Sequence, residues 1–271
     1  MIDVFKELDN KFDLFKQING LSNLLSRETR YFSDTFDWHF NHNYFRDWHL
    51  SSGMMSLYEL KQALGLQDDS YYPTNEYDAI RYLQCSFNVV NFASQKLRKY
   101  VDYTEFFSFC KKQFKYIMEK AGLEILEDEA KDYYLIIPKN EKTRKVAELQ
   151  SDKNVVFKLY EYTANEYKGN IAKKQEILNV LANETELITK SYKKKQGDFY
   201  NIYDDLDFAL NNFNIRHNNK DGKHYKKHIA ELGHGELEKL YDKTYDLILD
   251  VILINDYLQG KTEFDNIKNL I

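Results

Sequence analysis

The sequence predicts a mainly α protein, helical bundles with one short β-hairpin near residues 123–137, and three observations carry that prediction. Only 2 Pro and 10 Gly are spread over 271 residues, which leaves few places to break a helix or turn a tight hairpin. Apolar residues recur at three- and four-residue steps through most of the chain, the period of a helix with one buried face. β-type runs occur together in one place, Leu123–Leu126 and Tyr133–Ile137, with a polar segment between them and Pro138 closing the second.

Taken in order, Val4, Phe5, Leu8, Phe12, Phe15, Ile18 and Leu21 form one helical stripe. Arg27 to His49 is an aromatic cluster with Trp38 and Trp48, interleaved with Arg46, His39, His42 and His49. Its histidine spacing fits no zinc motif, and a buried aromatic knot accounts for it. Asp68 to Asn75 is a loop, and Thr74 or Asn75 caps a nearly apolar helix running from Glu76 to about Val101. A further helix spans Tyr103 to Lys120, and Gly122 ends it in a left-handed cap. After the hairpin, helices resume at Glu141. Gly169 separates two of them, Lys190 to Lys195 is basic, Gly197 breaks the chain, and Phe199 to Phe213 is a clean stripe. Leu237 to Leu258 gives a last long helix, whose apolar face serves either the chain's own core or a partner. The predicted organisation is an N-terminal helical domain (1–122), a hairpin connector (123–138) and a C-terminal helical domain (139–271).

The bulk numbers limit the function. A 43% hydrophobic content rich in Tyr and Phe can build a core, so disorder is excluded over most of the length. A net charge of −5 is not that of a general nucleic-acid binder, so a polyanion site must be local. Cys85 and Cys110 are too sparse for a disulfide framework and are expected as reduced, buried thiols. Met1 to Phe15 alternates charged and apolar residues, which predicts neither a signal peptide nor a membrane anchor, and hence a cytoplasmic protein with no membrane partner. Phosphate-cradling glycine loops, G-x-S-x-G elbows and Cys-based nucleophile motifs are missing from the sequence, so no kinase, NTPase or hydrolase class is supported and no cofactor is expected.

One stretch stands apart, Asn211 to His234. It holds four of the seven histidines and Arg216, the sole arginine after Arg144. Arg216 and His217 are expected at the C-terminal turn of a helix ending at Asn214–Ile215, where the helix dipole favours cations. Asn218, Asn219, Lys220, Lys223, His224, Lys226, Lys227 and His228 follow, with Asp221 as the lone acid. Capping accounts for the first pair but not for the density after it. Guanidinium binds phosphate bidentately and imidazole transfers protons near neutral pH. Together they suit RNA cleavage without metal, which needs a base for the 2′-OH, an acid for the leaving 5′-oxygen and a cation on the phosphorane. His224 and His228, four residues apart, with Asp221 and His234 nearby, offer a metal-site alternative. Exposure near a glycine-rich turn accounts for His228 and His234, and no metal is expected.

Arg216-His217, set between two long helical patterns, with His224 further on, resembles the signature of the HEPN domains, α-helical modules of prokaryotic defence systems, toxin–antitoxin pairs and abortive phage infection proteins. In that family an Arg at the end of a long helix is followed by a polar residue and, a few residues on, a His. Here seven residues separate Arg216 from His224, a wider spacing than the family's. The Ile-Arg-His-Asn-Asn phrase is similar to abortive-infection members, and the resemblance covers about residues 139–271. It implies a metal-independent endoribonuclease of a defence or toxin–antitoxin system, acting as a homodimer with two motifs forming one RNA site, and partnered by an antitoxin or a phage-derived trigger. The implied catalytic residues are Arg216, His217 and His224, with Asn218, Asn219, Lys220 and Lys223 binding RNA. The alternative is a non-catalytic HEPN-like module that binds RNA or a partner with the same patch.

Overall fold

A computed structural model describes residues 12–27, 34–48, 54, 56–63, 73–98, 101–128, 133–193, 199–216 and 226–268. The chain divides into two compact units, Met1–Lys139 and Asn140–Ile271. Among the described residues the secondary structure is helical apart from one two-stranded antiparallel hairpin. None of the described helices is long and apolar enough to cross a membrane.

The first unit contains α1 (Leu14–Ser26), α2 (Phe36–Asn43), α3 (Leu57–Ala63), α4 (Glu76–Leu97), α5 (Val101–Lys120), β1 (Leu123–Asp128) and β2 (Tyr133–Pro138). Short polar side chains start the helices. Asp13, Thr35 and Asn75 each accept a hydrogen bond from a backbone N–H in the first turn that follows. Asn75, not Thr74, is therefore the cap of α4. The segment from Phe36 to Trp48 is the aromatic knot anticipated from its composition. Phe36 and Phe40 lie wholly inside, Phe36 is 5.5 Å from Phe106, and Phe40 meets Trp48 edge-on at 5.7 Å. Beside the knot, Asp37 holds the Lys61 ammonium at 2.5 Å and also accepts from Ser26 at 3.1 Å. Burial alone would lower the Lys61 pKa. The Asp37 charge outweighs it and holds the ammonium above the ordinary lysine value.

The hairpin belongs to this unit and is not a connector of its own, because α4 clasps one edge of it. Leu123 lies opposite Pro138 and Ile125 opposite Ile136, and Gly122, at φ +66°, lets the chain turn from α5 into β1. That register turns the backbone of Tyr134 and Ile136 away from β1, toward two buried amides. Asn88 donates to the Tyr134 carbonyl at 2.8 Å and accepts its N–H at 2.9 Å. Gln84 accepts the Ile136 N–H at 2.7 Å and donates to the Tyr133 hydroxyl at 2.6 Å. Two side chains on one helix thus stand in for a third strand.

The second unit contains α6 (Glu141–Glu148), α7 (Lys153–Tyr162), α8 (Ile171–Lys193), α9 (Tyr200–Asn212), α10 (Lys227–Ala230) and α11 (His234–Lys268). The long α11 packs along α8, α9 lies against both, and α7 packs on α8. Leu159, Ile177, Leu178, Leu206, Ile248 and Leu249 are fully enclosed at the centre of this bundle. Gly169, at φ +79°, makes the expected break before α8. On α11, Tyr241, Tyr245, Ile248, Leu249, Val251 and Ile252 are buried within the unit, so that part of the apolar stripe is intrachain core. Beyond it Asp256 and Tyr257 are exposed.

Replacing Asn88 with Ala strands the Tyr134 N–H and C=O in a dry environment. The expected cost is about 2 kcal/mol, that of leaving buried polar groups unpaired. Amide hydrogen exchange at Tyr134 and Ile136 should accelerate at least tenfold, while the amides of α8 keep their protection. Unchanged exchange at Tyr134 would remove the clasp from the account.

Candidate functional site

The site is organised by the way α9 stops. Tyr203, Leu206 and Leu210 hold the helix in the core, and it ends at Asn212, two residues earlier than the predicted end. The Phe213 N–H closes onto Ala209, and Asn214 then takes a left-handed conformation at φ +58°. Among residues with a Cβ, Asn tolerates that region best, since its short polar side chain can bond locally. The turn buries Ile215 and sends the Arg216 N–H back to the Leu210 carbonyl at 3.0 Å. From α8, the Gln175 amide donates to the carbonyl of Asn214, with that of Ile215 at 3.5 Å. The last-turn carbonyls of Ala209 and Leu210 are thus answered within the turn, and the turn's own carbonyls by a neighbouring helix.

Arg216 consequently leaves the bundle in a fixed direction. Its Nη2 donates to the Ala182 carbonyl of α8 at 3.1 Å, and its Nη1 lies 3.9 Å from the Asp207 carboxylate of α9. The side chain is 18% exposed. A guanidinium has five N–H donors, so this anchoring leaves others for a ligand. The surrounding charges are mixed. Lys190, and behind it Arg216, hold the Glu186 carboxyl below its ordinary range.

His217, Asn218, Asn219, Lys220, Lys223 and His224 lie outside the described residues, as does Asp221. The chain is described again from Lys226. His228 on α10 and His234 at the start of α11 are exposed, and Lys227 pairs with Glu231 at 3.6 Å. Among the described residues no three His, Cys, Asp or Glu side chains converge as a metal site would require.

Elsewhere the chemically conspicuous residues are spoken for. His42 stacks on Trp38 at 4.0 Å with its Nδ1 2.9 Å from the Trp38 carbonyl. Burial lowers the His39 pKa, which favours its neutral form. Cys85 and Cys110 are free and buried, and desolvation pushes their thiols up to about 11 and about 12, far from a reactive thiolate.

A polar centre whose partners the sequence does not identify sits among α7, α8 and α11. The buried Lys174 ammonium lies 2.8 Å from Glu238 and 2.7 Å from Asp242, and 5.1 Å above the Tyr162 ring. Tyr162 donates to Asp242 at 3.0 Å and stacks on Tyr245 at 4.2 Å. Burial, then the Asp242 charge, raise the Tyr162 pKa far above that of a free phenol, so it stays a donor and is no nucleophile. Alongside, the buried Glu161 takes Lys158 at 2.6 Å and Lys173 at 3.3 Å. This arrangement ties three helices together. A signal was present in the sequence: Lys174 sits at the apolar phase of a stripe that runs Ile171, Ile177, Leu178, Leu181.

Two expectations follow. Asn214→Ala should destabilise the second unit by about 1 kcal/mol, the penalty of a left-handed residue with an ordinary Cβ, while Asn214→Gly is tolerated. Equal stabilities in chemical denaturation would contradict the turn described. Glu238 is held below its ordinary value of 4.5: burial opposes this, but the Gly169 N–H and Lys174 prevail. A depressed carboxylate stabilises the fold above its unfolded pKa, and that contribution disappears as the pH falls through the folded value. Lys174→Met should therefore cost about 2 kcal/mol near neutrality and flatten the loss of stability below pH 4.5. An acid limb as steep as the wild type's would count against the pairing.

No protein family matches the chain, and no curated protein or solved structure matches it significantly.

Proposed function

We propose that the chain acts on RNA as a HEPN-like, metal-independent endoribonuclease of a defence or toxin–antitoxin system, working as a homodimer. The observation that supports this reading most is the placement of Arg216. It follows a buried helix end, is braced by Ala182 and Asp207, and directly precedes in sequence a segment containing two histidines, two asparagines and two lysines. A braced guanidinium is preorganised for the charge that develops on phosphorus. In this chemistry the 2′-oxygen attacks the adjacent phosphorus as one histidine takes its proton. The P–O5′ bond then breaks as a second proton donor protonates the leaving oxygen. The products are a 2′,3′-cyclic phosphate and a 5′-hydroxyl. His224 is the acid or base, His217 orients, and Asn218, Asn219, Lys220 and Lys223 hold the flanking phosphates.

A second reading, RNA or partner binding without cleavage, draws on the same bracing. Ala182 and Asp207 already engage the guanidinium, so its present role as a strut between α8 and α9 is sufficient reason for its position.

The two separate in one assay. Purified protein is incubated with RNA in excess chelator, and the ends of any fragments are typed. Cleavage giving 5′-hydroxyl ends is expected, falling about a hundredfold in Arg216→Ala, as for loss of one preorganised stabilising donor, and also falling in His224→Ala. Arg216→Lys keeps the charge and serves as the fold control by circular dichroism. Full activity in both alanine variants would refute the assignment, and binding without cleavage would select the second reading.

A further inference from the structure

The exposed face of α5 in the first unit carries a row of cations that the acidic composition conceals. Ser108, Lys111, Lys112 and Lys115 recur at helical spacing on one side of the helix, and all four are exposed. They border a groove against the end of α4, which adds Arg98, with Leu97 and Phe107 forming an apolar floor. Lys115 has Glu119 at 3.8 Å. Lys111, Lys112 and Arg98 have no ion-pair partner among the described residues. An acid one turn away stabilises a lysine on a helix surface. Here the positions one turn before Lys111 and Lys112 are Phe107 and Ser108, and those one turn after are Lys115 and Tyr116.

Next to this row, further round the same helix, two large aromatic side chains face outward. Phe109 is 48% exposed and Tyr116 is 38% exposed, against a neighbourhood in which Phe106, Phe107 and Phe114 are buried. Phe12 supports Tyr116 edge-on at 6.1 Å. Lys112 lies between the aromatics and the Lys111–Lys115 row by helical position. Lys111 and Lys115 are one turn apart, ~6 Å along the axis, comparable with successive phosphates on one strand. Cations in line beside exposed aromatic rings make a phosphate track next to a stacking platform, the combination that single strands use. A compact anion would need neither the row nor the rings.

We infer that α5, with Arg98 at the C-cap of α4, binds single-stranded nucleic acid, its phosphates along Lys111, Lys112, Lys115 and Arg98 and its bases on Phe109 and Tyr116. The site is independent of Arg216 and does not rest on the ribonuclease reading.

The test is fluorescence anisotropy of the full-length protein with a labelled oligouridylate of roughly 16 nucleotides, the upper site size of a small single-strand binder, across a salt series. Binding should weaken with salt. The triple variant Lys111→Gln/Lys112→Gln/Lys115→Gln should lose at least tenfold in affinity at low salt, and its salt slope should fall by about 2, roughly 0.7 per released phosphate contact. Phe109→Ala/Tyr116→Ala should lose about tenfold with the slope unchanged. Matching oligothymidylate separates the sources: equal binding assigns recognition to phosphate and base, and preference for RNA adds a contact to the 2′-hydroxyl, both within the inference. Photo-crosslinks should map to residues 98–116 in the wild type and in Arg216→Ala alike, which keeps this result apart from any loss of cleavage. Absence of binding, an unchanged affinity and slope in the triple variant, crosslinks confined elsewhere, or heparin competing fully while the aromatic variant binds like wild type would each overturn it.

Discussion

A polar group removed from water must find its partner inside the protein, and in each unit that constraint decides how the helices meet. In the first, the outward backbone of β2 is answered by Gln84 and Asn88, and the Lys61 ammonium by Asp37. In the second, Lys174 draws Glu238 and Asp242 of α11 onto α8, and Glu161 draws Lys158 and Lys173 together. The aromatic and aliphatic cores supply the larger driving force, but they are non-directional and would accept more than one helix register. Partners fixed to within about 3 Å would not. Each such pairing contributes little net stability, since its desolvation cost is large. Its loss on one side is costly, however, and that asymmetry penalises neighbouring registers.

The same constraint places Arg216. A helix that ends inside a bundle exposes carbonyls which cannot reach water, and α9 ends there. Gln175 covers the carbonyl of Asn214, the left-handed Asn214 turns the chain, and the Arg216 N–H returns to Leu210. Only after these bonds are made is the direction of the guanidinium set, by Ala182 on one side and Asp207 on the other. A functional role for Arg216 and a structural one are therefore not alternatives at the level of geometry. The bracing that makes it a strut is also what would hold it ready for a phosphate.

Much of this was legible in the sequence where the cause is local. Helix periods, the Asn75 cap, the Gly122 and Gly169 turns, the hairpin and the aromatic knot all follow from residues within a few positions of each other. What was missed depends on partners far apart in the chain: Gln84 with Ile136, and Lys174 with Asp242. A lysine or an amide on an apolar stripe announces that a partner exists without saying which. The hairpin was set apart as a connector for the same reason, since nothing local to residues 123–138 reveals the two amides on α4. For the candidate site, the helix end and the emergence of Arg216 were foreseeable. The left-handed turn was not, because Asn is common in helix ends of every geometry.

Net charge says little about a local site, and the reason is the range of electrostatics in water. At physiological ionic strength a surface charge is screened over about 8 Å, so a ligand at α5 responds to Lys111, Lys112, Lys115 and Arg98 and hardly to acids on the far side of the same unit. A total of −5 is compatible with a locally positive track, provided the acids lie elsewhere. On α5 the sign does change along the helix: Glu105 precedes the cation row, Glu119 follows it, and no acid falls between. The basic segment after Arg216 has the same construction, seven basic or imidazole side chains around Asp221, followed by an acidic helix. Confinement of positive charge by flanking acids limits non-specific attraction to polyanions while leaving contact at short range intact. A protein acting on one strand at a defined place would gain from both properties.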